Sequence, residues 1–188
     1  MSQPRCYSAY IEGIHEMSTR PVAVILICGF TSLLLAQAPP KPGPEHKELE
    51  YFVGKWTVEG EIKANVYVPA GKTVSTETAT LGPGGFYVES RNEGPSGTRL
   101  GIIGYDSHAK VYTSYYASSG GLVGVGTGTV NGNTWTWMVE DKYAGISIKG
   151  RTTVTILSPT QQAIKYEMDD GKGGYVTIVE GKATKVGR

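Results

Sequence analysis

Cysteine is nearly missing from this 188-residue chain, which has only Cys6 and Cys28. Two thiols cannot build a disulfide scaffold. Charge is also sparse: 18 Lys and Arg against 17 Asp and Glu, a net charge of +1, with 19% of residues charged. That balance provides no basic stripe for nucleic acid and no cationic face for an anionic membrane. Three histidines leave little material for a metal or haem site. The apolar run from Val22 to Leu35 is 14 residues long, short of the ~20 that a bilayer-spanning helix needs. No useful helical periodicity appears beyond Lys55. What is present is 39% hydrophobic content, enough for a folded core, with 26 glycines and 12 tyrosines. Glycine, tyrosine and β-branched residues together point to strands and turns.

The first 38 residues read separately. Arg20 precedes the apolar run and Ala36-Gln37-Ala38 follows it. A basic flank, an apolar stretch and a small-x-small site make a secretory signal peptide, with cleavage expected after Ala38. Met17 opens MSTRPVAVILICGF, a better signal by itself, so residues 1–16 are expected to be an upstream extension and Met17 the true start. The alternative is an uncleaved anchor. A lipid-attachment site at Cys28 is disfavoured because Ile27 precedes it, where a small residue is wanted. Cleavage removes both cysteines. The expected product is a secreted or periplasmic protein without thiols and without a stable membrane span.

Residues 39–44 (PPKPGP) form a stiff spacer, and residues 45–188 form the folded domain. Glu45 to Phe52 suits a short helix with acidic residues early, ended by Gly54. Strands are predicted over 55–65, 73–81, 85–92, 98–106, 110–117, 122–130, 133–140, 145–157, 161–168 and 174–184. Alternation is clearest where Trp135, Trp137 and Val139 share one face against Thr134, Thr136 and Met138. Asn131-Gly132-Asn133 is a tight hairpin signal. About ten short strands without intervening helices imply an all-β, antiparallel up-and-down barrel, since an open sheet of that size leaves exposed edges. A two-sheet sandwich is the alternative. Turns at 66–72, 93–97, 118–121, 141–144 and 169–173 are predicted to be longer than those at 82–84, 107–109, 131–132 and 158–160. One rim would then carry the longer loops, with the short helix plugging the other.

Gly54-Lys55-Trp56 resembles the G-x-W opening of the calycin superfamily, the lipocalins and their relatives. The segment PGPEHKELEYFVGKW, Pro42 to Trp56, is similar to the start of a bacterial family, domain of unknown function family 1579. Gly85-Phe86, Gly104-Tyr105-Asp106, and Gly120-Gly121 followed by Gly126 to Gly128 also resemble that family's pattern. The resemblance covers about all of the chain after the leader. It implies a calycin-like barrel, with export in many members, and supplies no catalytic residues. In lipocalins a basic residue of the last strand packs over the G-x-W tryptophan. Lys182 and Lys185 on the last strand and Arg151 on another are the candidates here, and the last strand lacks an arginine.

Residues that could carry chemistry are few. His46 and Glu50 stand at i, i+4, but two ligands do not make a metal site, and a structural role for His46, beside Gly54 and Trp56, is the simpler reading. His108 belongs to a turn. Neither histidine lies on a predicted strand, where a haem ligand facing a cavity would be needed. No Gly-x-Ser-x-Gly elbow is present, and the glycine clusters lack the Lys-Ser/Thr ending of a phosphate loop. Glu89, Arg91, Arg151 and Glu167 could form a charged cluster in a cavity or simply face water. The aromatic residues are the better lead. Tyr87, Tyr105, Tyr112, Tyr115, Tyr116, Trp135 and Trp137, with Arg151, are the candidate cavity lining. The expected function is binding of a small hydrophobic or amphipathic molecule, without cofactor or metal and without catalytic residues. Hydrolase or isomerase chemistry on the charged cluster, or a protein or glycan interaction module on the long-loop rim, are the alternatives. N-terminal sequencing of the precursor is expected to begin at Met17; a peptide mapping to residues 6–16 would refute that start.

Overall fold

The structure is a computed structural model that describes residues 40–65 and 69–187. The expected signal peptide and the choice of start residue lie outside the described residues. Helix α1, Pro44–Glu48, runs into a 3-10 turn, Leu49–Phe52. Ten strands follow: β1 Gly54–Ile62, β2 Gly71–Leu81, β3 Tyr87–Gly94, β4 Gly97–Asp106, β5 Val111–Ser118, β6 Val123–Asn131, β7 Thr134–Tyr143, β8 Ile146–Ser158, β9 Gln161–Asp169 and β10 Tyr175–Gly187. Each pairs antiparallel with its neighbours in sequence, and β1 pairs with β10 to close the barrel. The barrel expectation is therefore met. The sandwich is not.

The pairing register fixes which side chains point inward. Along the wall, Trp56 pairs with Glu77 and with Lys185, Val88 with Ile103, Tyr112 with Tyr105 and Gly128, and Trp135 with Val130 and Val154. Because successive residues of a strand face opposite sides, one parity runs round the barrel. On it lie Trp56, Ala79, Val88, Tyr112, Trp135, Trp137, Val139 and Val154, all buried. Bulges between Lys55 and Trp56, between Ile156 and Ser158, and between Thr177 and Val179 shift the register without opening the ring.

The helical lead-in plugs one end. Pro44 sits at its start, where no backbone N–H is required. The His46 ring accepts a hydrogen bond from the Gly43 N–H at Nδ1 (3.1 Å) and stands edge-on to Phe86 and Tyr105. Leu49 is fully buried. Phe52 meets Trp135 edge to face at 5.0 Å, and Tyr112 packs on Trp135 at 4.5 Å. Tyr51 donates to the carbonyls of Ser158 and Gln161 in the β8–β9 turn. Tyr112 donates to Glu48 Oε2 at 2.7 Å, and burial, reinforced by that carboxylate, pushes its phenol up.

Trp56 ties plug, first strand and last strand together. Its Nε1–H donates to the Phe52 carbonyl at 2.8 Å. The Lys185 ammonium lies 4.6 Å over its ring and donates to the Tyr51 carbonyl at 2.9 Å. Lys185, not Lys182 or Arg151, is thus the basic residue that covers the tryptophan. Gly54 must be glycine: its φ is +129°, and a Cβ there would stand 2.8 Å from the Gly187 carbonyl oxygen.

The expected loop asymmetry is weaker than the turn signals imply. Strands run on to Gly94↔Gly97 and Tyr143↔Ile146, so Pro95-Ser96 and Ala144-Gly145 are two-residue hairpins at the unplugged end. Only the β1–β2 and β9–β10 connections there are long. Backbone pairing extends strands through glycine and charged residues that read locally as loop. Lys185→Met is expected to cost about 1–2 kcal/mol, from the lost carbonyl hydrogen bond and cation–π contact, measured by urea denaturation.

A polar centre in the unplugged half of the barrel

No helix among the described residues crosses the end opposite the plug. In this half the inward positions change character. Ser75, Glu77, Ser90, Asn92, Arg99, Ser114, Tyr116, Asp141, Thr152 and Tyr166 all lie on the lumen parity. Most are half-buried, as expected for a wall that water reaches from one side.

The centre is Asp141, 6% exposed. Tyr116 donates to its Oδ1, and Tyr166 donates to its Oδ2 at 2.8 Å. Each carboxylate oxygen is therefore held by one phenol. The arrangement is two-sided about β7: Tyr116 reaches across β6 from β5, and Tyr166 reaches across β8 from β9. Glycine makes both reaches possible. A Cβ on Gly124, paired directly with Asp141, would stand 2.3 Å from Tyr116 Cζ and 2.6 Å from Asp141 Oδ1. A Cβ on Gly150 would stand 2.7 Å from Tyr166 Cε2. Farther down β6, Gly126 and Gly128 leave room for Val139 and Trp137 in the same way. Burial, followed by the Asp141 hydrogen bond and charge, raises the Tyr116 phenol well above its ordinary value. Burial and the same carboxylate raise Tyr166. Both phenols stay neutral donors throughout the physiological range. The Arg99 guanidinium, exposed at the mouth, lies 5.4 Å over the Tyr116 ring.

Of the expected lining residues, Tyr105, Tyr112, Tyr116, Trp135 and Trp137 lie on the inner parity. The first two and Trp135 are packed against the plug or one another, and Trp137 stacks on Trp135 at 6.0 Å. Three placements need correction. Tyr115 is on the outer wall and 52% exposed, because it alternates with Tyr112, Ser114 and Tyr116 in neither position but the outward one. Tyr87 precedes inward Val88 and lies outside, its ring over Gly82. Arg151 pairs opposite Met138 and Glu167 on the outer wall. There its guanidinium donates twice to Glu167 Oε2 and lies 4.4 Å over the Tyr175 ring. Glu167 is buried beneath this cover; burial would raise its carboxyl, but Lys165 and Arg151 outweigh that and lower it. Glu89 and Arg91 also face outward, so the four-residue charged cluster expected in the cavity is not in the lumen.

Two concavities, of about 360 Å³ beside Met138, Lys149 and Tyr175 and about 590 Å³ beside Glu59, Lys72 and Glu180, lie on the outer wall. Among the described residues, no group of three His, Cys, Asp or Glu side chains is placed to hold a metal ion. His108 is exposed in the β4–β5 turn.

Fold and interior define a closed, ten-stranded, calycin-like barrel with one end plugged. The chain belongs to the family described as protein of unknown function (DUF1579), which it matches over residues 41–185. No curated protein matches the chain. A solved structure, that of Rv2717c from M. tuberculosis, is similar with a TM-score of 0.54 at 10% sequence identity, covering 77% of this chain and 98% of that one. At that identity the likeness concerns the fold.

The raised phenols have a measurable consequence. Their protonated form is favoured by folding, so its stabilisation is complete below the unfolded phenol's value of about 10 and is lost as pH rises further. In a spectrophotometric titration, Tyr116→Phe and Tyr166→Phe are each expected to remove one late-ionising phenol. Loss of an early-ionising phenol from either variant would mean that the carboxylate does not hold it.

Proposed function

We propose that the chain is an exported carrier or receptor that holds a small amphipathic molecule inside the barrel. The apolar part of the ligand lies along inward Ile103, Ile148, Ile164 and Met168, and its polar end meets Tyr116, Asp141 and Tyr166. One observation carries the reading: a carboxylate held by two phenols lies on the lumen parity, in the half that no helix among the described residues covers, with Gly124 and Gly150 making room for the two rings. A wall serving only as core is filled with apolar side chains, because buried polar groups lower stability unless fully satisfied. A binding wall combines apolar area with a few placed polar groups. The packed aromatic cluster at the other end gives the lumen a rigid floor. Export is supported by the apolar run and the Ala36-Gln37-Ala38 site.

Native mass spectrometry of protein purified from its own host tests the reading. Wild-type protein is expected to retain a small molecule that the Tyr116→Phe/Tyr166→Phe double variant loses. Repeated wild-type preparations without any retained mass count against it.

A further inference from the structure

Resting on the small-molecule reading, the geometry of the polar centre points to the chemistry of the ligand's head group: we infer that it is a cationic amine, an ammonium borne on an apolar body. A phenol has one proton to donate. Tyr116 and Tyr166 both give theirs to Asp141. Toward the lumen, their oxygens therefore offer only lone pairs. These three groups accept hydrogen bonds and have no further proton to donate, so a carboxylate, phosphate or carbonyl finds no partner on them. A head group made of donors does.

Charge points the same way. Asp141 is buried and its partners are neutral phenols, with no cation in contact among the described residues. Burying a carboxylate without a counter-charge is unfavourable even when it is hydrogen-bonded. The charged side chains on the inward parity among the described residues are Glu77, Arg99, Asp141 and Lys185. Lys185 is engaged at the plug, over Trp56 and on the Tyr51 carbonyl, and Arg99 stands exposed at the rim, so neither base meets Asp141. A second, separate observation lies deeper on the same parity. Gln162, 8% exposed, has its Oε1 buried without a hydrogen-bond partner among the described residues. This is a buried acceptor without a donor among the described residues. Arg99 acts against the cation from the rim, so it tunes the affinity and does not supply it.

Three probes of equal chain length separate this inference from the reading beneath it: n-octylammonium, n-octanol and n-octanoate, titrated calorimetrically into the full protein. Octylammonium is expected to bind ~tenfold or more tightly than either of the others, the ratio that one charge-assisted hydrogen bond gives. Asp141→Asn should remove that preference, bringing octylammonium to within about twofold of octanol in the same variant. Arg99→Gln changes an exposed rim residue; it should tighten octylammonium several-fold and weaken octanoate, and it decides the matter if Asp141→Asn does not fold by circular dichroism. Binding of octanol or octanoate without an ammonium preference overturns the amine and leaves the small-molecule reading standing. Binding of none of the three overturns both.

Discussion

Everything in this barrel depends on the seam between its first and last strands, and the seam depends on Trp56. The indole is held from three sides. The Phe52 carbonyl takes its N–H, the Lys185 ammonium covers its face, and Gly54 bends the backbone into a conformation open only to glycine. Removing any one of these loosens the plug and the closure together. The plug in turn fixes the rings of Phe52, Trp135 and Tyr112, which form the floor of the lumen. A small barrel with ten short strands has little core to spare, so a single cluster that couples helix, seam and floor has a large share in its stability.

The interior divides into two layers with different physics. Near the plug the inward positions are aromatic and apolar, and the rings meet edge-on or tilted at about 5 Å, the favourable geometry for their quadrupoles. Beyond them the same parity turns to hydroxyls, amides and a carboxylate. Asp141 is satisfied by phenols, which stay neutral because burial and the carboxylate both oppose their ionisation. A two-sided clamp of this kind orients the carboxylate rigidly while leaving its charge uncancelled. Loss of one phenol leaves one oxygen of a buried charge without its donor, which is why each hydrogen bond counts for more here than on the surface.

Most of the architecture was legible in the sequence. The alternation at Trp135, Trp137 and Val139, the turn at Asn131-Gly132 and the count of strand-like runs lead to the ten-strand closed barrel. The Gly54-Lys55-Trp56 motif marks the plugged end where the structure has it. The polar centre was not legible. Asp141 was read as part of a turn, because the strand continues through Asp-Lys-Tyr by backbone pairing to β8. Tyr115 and Tyr116 are both aromatic, and composition alone cannot tell which faces in; the parity of a strand is set by register with neighbours far away in sequence. One signal was available. Tyr116, Asp141 and Tyr166 are spaced 25 residues apart in both steps, the length of one hairpin repeat. In a meander, residues at that spacing return to the same height on alternate strands.

The two halves of the seam are the first and last of the ten strands. During synthesis β1 emerges first of the ten barrel strands, and its partner β10 last. Until then the nascent sheet carries two uncovered edges, each able to pair with a neighbouring chain. Ring closure joins Trp56 to Lys185 across nearly the full length of the domain, the type of distant contact that forms slowly. Such lateness leaves the closing contact until the other nine strands are made. It also means that a product cut short before Lys185 loses the lysine that fastens the ring, and is left as a curled sheet with an adhesive margin.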